Sequence, residues 1–428
     1  MIKLNISKQN VKKYIEIVTS DFFLVSFAMF FALTREFLTY NLRLPGFIQY
    51  FLDFLLVILT IKIGIKIIKD FKNKSIKKID ISIIILTVFT IIAISSMVIN
   101  GAGVRRFIKS YYLDYCRYFI LLISMYRLSI TREQINKLIK WIVIFVLVQF
   151  PIVLIQSKTV EVYEVSKYVI RDYYSGLLGY KSTAELGFLS ILVISYSYGL
   201  LINKKLSLKK FLLITIYLLA MALFIEIKIV ILLVPAAVVG ISIFFIKDKR
   251  VIYSLIGILI VSILSMNIVT KIYPQFGEVF NIESMVETAG YTYADSGMSR
   301  LSGVPKALRF IDNERETLLI GKGPGSGTKY YNGKYHFRTF HFPYLISEYG
   351  VLGFISLMSM YLYILILSIK TIIKRINNNI PLAAMGIALV GIIIFSGIYS
   401  MSMMKNSFAV VAWIIMGAII KFNKDDKS

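Results

Sequence analysis

Long apolar segments recur along the whole chain and constrain its fold more than any other feature. Runs of about 18 or more largely apolar residues follow one another, and each is long enough to cross a bilayer as a helix. The chain is 57% hydrophobic and 17% charged, whereas soluble domains are about 45–50% apolar and about 25% charged. These values exclude a soluble multi-domain enzyme and a disordered or fibrous chain.

The hydropathy pattern predicts an all-α polytopic membrane protein with about 12 transmembrane helices. The predicted spans are 22–39, 46–68, 81–99, 107–126, 138–156, 184–202, 211–225, 228–246, 251–272, 345–369, 380–400 and 407–420. The chain then divides into three regions. These are 1–272 with helices 1–9 and an external loop at 157–183, a large folded external loop at 273–344, and 345–428 with helices 10–12 and a cytoplasmic tail.

The charge balance is strongly basic, with 49 Lys and Arg residues against 24 Asp and Glu residues and a formal net charge of +25. Membrane proteins place Lys and Arg in cytoplasmic loops, and this distribution fixes their orientation. Here the basic residues concentrate in short connections on one predicted side, such as the one that contains Lys72, Lys74 and Lys77. We therefore expect both termini in the cytoplasm and no nucleic-acid partner.

The predicted external loops combine arginines with lysines. Arginine binds phosphate oxygens through two parallel hydrogen bonds, so a basic outer surface favours a lipid-linked pyrophosphate as ligand. A solvated loop with incidental charge is the alternative for most of these residues taken singly. The external cations are Arg171, Arg300, Arg309, Arg315, Arg338, Lys322, Lys329 and Lys334.

Both histidines of the chain, His336 and His341, lie in the large predicted loop. Their spacing differs from the i,i+4 pair of a helical zinc site, and the sequence contains neither an HExxH motif nor a cysteine cluster. We therefore expect no metal. The Gly-rich segment 321–327 lacks the GxxxxGK[ST] pattern of a P-loop, so a tight turn is favoured over phosphate binding.

Charged residues inside predicted spans are costly in a bilayer and are therefore candidates for function. Asp114 and Arg117 have i,i+3 spacing, which favours a structural ion pair between them. Glu226 and Lys228 lie at the predicted outer apex between spans seven and eight. Lys228 has no acid at matching spacing in its own helix, so function and structure remain equal alternatives for it.

Four short motifs follow one another in a characteristic order. They are Arg171-Asp-Tyr-Tyr-Ser-Gly176-Leu-Leu-Gly179, Glu226-Ile-Lys228, the stretch from Arg300 through Leu308, and Leu-Leu-Ile-Gly-Lys-Gly-Pro-Gly followed by His341-Phe-Pro-Tyr-Leu-Ile-Ser-Glu348-Tyr-Gly350-Val-Leu-Gly353. Together they resemble the Wzy-type polysaccharide polymerase and O-antigen ligase superfamily of bacterial envelopes. The likeness covers the whole predicted topology, although each motif is short and degenerate. Phe342 stands where the family often has Asn after the His, and Lys228 where it frequently has Arg.

The resemblance implies a GT-C-like fold in the bacterial inner membrane. It implies transfer of a glycan from undecaprenyl pyrophosphate to the non-reducing-end hydroxyl of another lipid-linked repeat unit on the outer face. The reaction would invert the anomeric centre and need no metal or other cofactor. Membrane lipid and a chain-length regulator are the further partners that it implies.

The same resemblance assigns roles to individual residues. It implies His341 as the base that takes the acceptor proton and Arg300 as a catalytic cation. Pyrophosphate binding is assigned to Arg171, Lys228 and Arg309. The alternatives left open are His336, Glu348 and Glu226.

Two other functions compete with the polymerase. A ligase would move the finished polymer onto lipid A core, and the sequence separates it poorly from a polymerase. A flippase or transporter of lipid-linked sugars would belong to a different class. It is disfavoured because the sequence has no evident internal repeat and suggests no basic cavity on the cytoplasmic half.

Overall fold

The computed structural model of the chain is dominated by helices. It describes residues 16, 19–73, 79–159, 164–165, 168–169, 174–179, 182–225, 227–272, 290–292, 296–312 and 315–425. Within these residues the only ladder is a short antiparallel pair, β1 (Glu164–Val165) with β2 (Tyr168–Val169), inside the predicted external loop 157–183. The predicted all-α class is confirmed.

Each predicted span coincides with helical structure. Before the large loop the helices are α1 (Asp21–Glu36), α2 (Phe51–Lys72), α3 (Ile81–Ile99), α4 (Val104–Phe107), α5 (Arg117–Arg127), α6 (Arg132–Thr159), α7 (Thr183–Ile202), α8 (Leu208–Phe224), α9 (Lys228–Ser242) and α10 (Lys249–Ile272). The large loop contains α11 (Gly303–Ile311), α12 (Arg315–Ile320) and α13 (Lys329–Asn332). The chain continues with α14 (His341–Ile373), α15 (Ile380–Tyr399) and α16 (Asn406–Asp425).

Shorter helical segments connect these elements. π-Helical turns occupy Phe37–Asn41 and Ile108–Cys116, and the second joins α4 to α5 in one continuous helical segment. Single 3₁₀ turns lie at Gly46–Tyr50, Gly176–Leu178, Ile243–Phe245, Phe337–Thr339, Asn377–Asn379 and Ser402–Met404.

By length and composition, seven helical segments in the described part of the chain can each cross a membrane. They are Asp21–Asn41, Ile81–Ile99, Arg132–Thr159, Thr183–Ile202, His341–Ile373, Ile380–Tyr399 and Asn406–Lys424. The helical architecture is that of a multi-pass membrane protein. Twelve crossings, the GT-C-like arrangement and the cytoplasmic location of both termini remain predictions.

The centre of the bundle is built by helices distant in sequence. α14 packs against α15 and α3, α15 packs against α7, and α16 packs against α5. Glycines allow some of these close approaches: a Cβ on Gly199 would lie 2.5 Å from Pro381 Cα, and one on Gly386 would lie 2.3 Å from Ser368 Oγ. Small residues at such crossings let helix backbones approach in a membrane, where packing drives association.

The carboxylate of Asp80 joins α3 to α16 at the end of the bundle where α7 ends and α15 begins. Asp80 caps α3 by accepting hydrogen bonds from the Ser82 amide at 2.9 Å and hydroxyl at 2.6 Å, and it pairs with Lys424 of α16 at 3.1 Å. Burial acts to raise the pKa of Asp80, but the Ser82 hydrogen bonds and the Lys424 charge outweigh it and hold the pKa below its ordinary value.

Candidate functional site

The Gly-rich segment 321–327 is a turn that packs onto an interruption in α14. The amide of Lys322 donates to the Ser347 carbonyl at 3.0 Å, and the amide of Gly323 donates to the Glu348 carbonyl at 3.2 Å. Gly350 has φ 67° and ψ −168°, so the helical path breaks there. A Cβ on Gly350 would lie 2.4 Å from the Leu319 carbonyl oxygen. The tight turn expected from the sequence is present, and it docks through backbone contacts.

Glu348, an alternative base in the sequence analysis, is fully buried beneath this turn. Its Oε1 atom accepts the amides of Gly325 at 2.9 Å and Gly327 at 3.4 Å. Consecutive backbone N–H groups of this kind form an anion-binding concavity. Here the carboxyl group of Glu348 occupies that concavity, so the turn binds this side chain in the arrangement that the structure describes.

Gly350→Ala should lower the stability of the protein by more than about 2 kcal/mol. A left-handed backbone costs a non-glycine residue about 1–2 kcal/mol, and the clash with the Leu319 carbonyl adds to this. Gly240→Ala is the matched control, because no atom lies within 4 Å of its Cβ and alanine favours a helix. Thermal unfolding in detergent should show a lower midpoint for the first variant only. Equal midpoints would contradict the close packing of the turn.

His341, the predicted base, is the first residue of α14 and lies near the end of α15. Its backbone amide donates to the Ser400 carbonyl at 3.2 Å, and its imidazole centroid is 6.0 Å from the ring of Tyr115. Only 1% of the residue is exposed, and neither ring nitrogen has a hydrogen-bond partner among the described residues. The imidazole is therefore buried against aromatic side chains.

Arg300, the predicted catalytic cation, reaches the same end of α15. Its guanidinium carbon lies 4.1 Å from the centroid of the Tyr399 ring, a cation–π geometry. Tyr399 directly precedes Ser400, which binds His341. The helix α11 that follows Arg300 packs over the start of α14, where a Cβ on Gly303 would lie 2.9 Å from Pro343. The structure thus brings His341 and Arg300 to adjacent positions of one helix end.

Asp114 forms a buried structural ion pair, as the sequence analysis favoured, but its partner is Arg338 across the bundle and not Arg117. Its Oδ1 atom lies 2.8 Å from Arg338 in the large loop, and its Oδ2 atom accepts the Tyr344 hydroxyl at 3.0 Å. Burial acts to lower the pKa of Arg338, but the Asp114 charge outweighs it and raises that pKa. Arg117 instead donates to the Tyr118 hydroxyl at 2.9 Å. Asp114 pairs with these distant residues because Arg338 and Tyr344 together satisfy both of its carboxylate oxygens.

A second buried carboxylate lies at the start of α7. Glu185 is 1% exposed, accepts the Ser402 hydroxyl at 2.8 Å and pairs with Lys405 at 3.2 Å. Nearby in sequence, Asn406 Oδ1 accepts the Tyr118 hydroxyl at 3.0 Å. The connection between α15 and α16 therefore joins α7 to α5. The sequence analysis missed this pair, although a lone acid inside a predicted span was the signal for it.

The other predicted site residues lie at different places. His336 is partly buried and its amide donates to the Ser296 carbonyl at 3.1 Å, whereas Arg309 is exposed in the last turn of α11. Lys228 begins α9, and nothing further is described for it. Arg171 and Glu226 lie outside the described residues. Of the five principal candidates, His341 and Arg300 both contact the end of α15, His341 through its backbone amide and Arg300 through the Tyr399 ring.

Buried polar atoms collect between these elements. In the described part of the chain, the hydroxyls of Tyr115 and Tyr349, Arg117 Nε, Glu348 Oε2 and both His341 nitrogens have no hydrogen-bond partner. Tyr115 links the set, since its ring is 6.0 Å from His341 and 5.8 Å from Tyr349. Each such buried atom costs about 1–3 kcal/mol, and native proteins usually satisfy it with water or a ligand. This cluster is the candidate functional site.

No protein-family model matches the chain, and no curated protein matches it significantly. Among the described residues, no group of three or more His, Cys, Asp or Glu side chains is placed to hold a metal ion.

Proposed function

We propose that the protein is a polysaccharide polymerase on the outer face of a bacterial inner membrane. It transfers a glycan from undecaprenyl pyrophosphate to the non-reducing-end hydroxyl of another lipid-linked repeat unit. The observation that carries the proposal is that His341 and Arg300 both contact the end of α15, through the Ser400 carbonyl and the Tyr399 ring respectively. The resemblance of the motifs around these two residues to those of Wzy-type enzymes favours the same chemistry.

The environment of His341 supports its role as a base. A neutral imidazole accepts a proton through its unprotonated ring nitrogen. Both of its nitrogens lack partners in the described part of the chain, so one is available to accept a proton from a sugar hydroxyl. α11 packs over the start of α14, and the proposal requires that an acceptor hydroxyl reach the imidazole at this place.

The proposed reaction is a direct displacement. The acceptor hydroxyl oxygen attacks the anomeric carbon of the donor glycan, and its proton passes to His341. The bond between the anomeric carbon and the phosphate oxygen breaks, and the electron pair leaves with undecaprenyl pyrophosphate. Arg300 stabilises the charge that develops on this leaving group. Attack from the opposite side inverts the anomeric centre.

The roles of the other cations follow from their partners. Arg338 and Lys405 each pair with a buried carboxylate, so part of their charge is already compensated. We assign them to holding the loop and the α15–α16 connection in place. Arg300 stacks on an aromatic face, and we assign its guanidinium to the leaving pyrophosphate because the planar fork suits two phosphate oxygens.

Deletion of the gene in its host tests the proposal. A polymerase deletion should leave surface glycan capped by a single repeat unit, and the wild-type gene should restore long polymer on a polysaccharide gel. Loss of all attached polymer with accumulation of long lipid-linked chains would indicate the ligase. Purified full-length protein in vesicles should convert lipid-linked repeat units into longer lipid-linked products. If lipid crosses the membrane and no longer product forms, the enzyme proposal is wrong.

A further inference from the structure

A polar cavity lies at the opposite end of the bundle from the candidate site. It has a volume of about 590 Å³ and is formed where α7 and α14 end, α15 begins, and α9 passes into α10. Its lining includes the cations Lys204, Lys247 and Arg375 and one acid, Asp248. Asp248 Oδ1 accepts the Arg250 amide at 2.9 Å and so caps the start of α10. The cavity therefore carries excess positive charge at the end of the bundle that the sequence analysis places in the cytoplasm.

Two of these cations occupy unusual backbone positions. Lys204 has φ 58° and Arg375 has φ 50°, which is the left-handed region that usually holds glycine or asparagine after a helix. Both side chains are exposed at the cavity, so their charge is accessible to a ligand. The backbone requirement alone does not favour lysine or arginine here. A role for the two side chains gives these positions a reason to carry charge.

Apart from Asn203, the remaining wall of the cavity is apolar, and it continues onto the exposed face of α9. Ile243 and Ile246 are 66% and 65% exposed, and Leu232 and Val239 lie on the same helical face at 46% and 45% exposure. Ile243 and Ile246 also line the cavity itself. An apolar stripe that leads into a cationic hollow matches a molecule with acyl chains and a phosphate. A free phosphate ion would contact the cations alone.

We propose that this cavity binds the headgroup phosphate of an acidic glycerophospholipid, with its acyl chains along the stripe that contains Leu232, Val239, Ile243 and Ile246. Basic pockets between helices on the cytoplasmic side of membranes suit such headgroups. The cavity lies at the ends of the helices, whereas transporters hold their substrates near the midplane. The bound lipid stabilises the packing of the five helix ends that form the cavity. This role is independent of the reaction proposed at the opposite end of the bundle.

Native mass spectrometry of the full-length protein in detergent tests this proposal. The probes are phosphatidylglycerol and phosphatidylcholine with identical acyl chains. The test variant combines Lys204→Asn, Lys247→Gln and Arg375→Asn, because asparagine tolerates the left-handed backbone. The control variant combines Lys137→Gln, Lys140→Gln and Lys209→Gln, which removes the same charge from exposed positions on α6 and α8.

Wild-type and control proteins should bind phosphatidylglycerol with similar affinity, and the test variant should bind it roughly tenfold or more weakly. Equal thermal unfolding midpoints of the test and control variants would exclude loss of the fold as the cause of weaker lipid binding. The single variant Lys247→Gln should weaken phosphatidylglycerol binding in part. Equal affinity of the test variant and wild type would overturn the proposal. So would equal binding of phosphatidylcholine, or displacement of the lipid by millimolar inorganic phosphate.

Discussion

His341→Ala should abolish polymer formation while the protein still inserts and folds. The change removes the group proposed to accept the hydroxyl proton, and loss of a general base costs about 10²–10⁴-fold in rate. The imidazole makes no hydrogen bond through its ring nitrogens among the described residues, so removing it breaks no polar contact there. Product length on a polysaccharide gel and turnover of lipid-linked repeat units in vesicles give the two readouts.

His336→Ala is the matched control for this prediction. His336 lies on the same loop, only partly buried, and its position is held by a backbone hydrogen bond to Ser296. The control should retain nearly wild-type polymer. His341→Asn keeps a polar group in the site and should be as inactive as the alanine variant. Normal polymer from His341→Ala, together with loss of polymer from His336→Ala, would move the base to His336.

Much of the fold follows from the sequence because apolar segments of this length form helices in any lipid environment. The prediction was weaker at helix ends, where hydropathy carries no signal. The span predicted at 345–369 is part of the longer helix His341–Ile373, whose first turn contains His341 and Pro343. Proline is tolerated in the first turn of a helix, so its presence there does not mark a boundary outside the helix.

The break at Gly350 could not be predicted, because it depends on a segment that approaches from elsewhere. A glycine inside an apolar run is compatible with a straight helix. The left-handed backbone is required here by the close approach of Leu319 and the Gly-rich turn. The sequence shows the glycine-rich motif. It does not show that this motif packs onto α14, because that contact is made between segments distant in sequence.

The partners in the buried ion pairs could not be predicted from the sequence either. Spacing rules propose partners within one helix, and they favoured Arg117 for Asp114. The structure pairs Asp114 with Arg338, and it pairs Glu185 with Lys405, across more than 200 residues in each case. Local spacing contains no information about such pairs. The residue types were informative, since a carboxylate inside an apolar segment requires a partner wherever the fold can supply one.

Arg300→Ala should reduce polymer formation by about 10²–10³-fold, as expected when a cation that stabilises a developing negative charge is removed. Arg300→Lys should restore only part of the activity. Lysine keeps the charge but loses the planar fork that binds two phosphate oxygens and stacks on Tyr399. Because Arg300 is proposed to act on the leaving group, the loss should fall mainly on kcat for the lipid-linked donor in vesicles.

Two comparisons make this prediction specific to the position of Arg300. Arg315→Ala removes an exposed arginine from the start of α12 and should leave polymer length unchanged. Tyr399→Phe keeps the aromatic face and should retain most activity, whereas Tyr399→Leu removes it and should lower kcat, because the guanidinium is then no longer held over the end of α15. Full activity in Arg300→Ala would refute the assignment of this residue. Equal activity of the two Tyr399 variants would show that the ring does not position it.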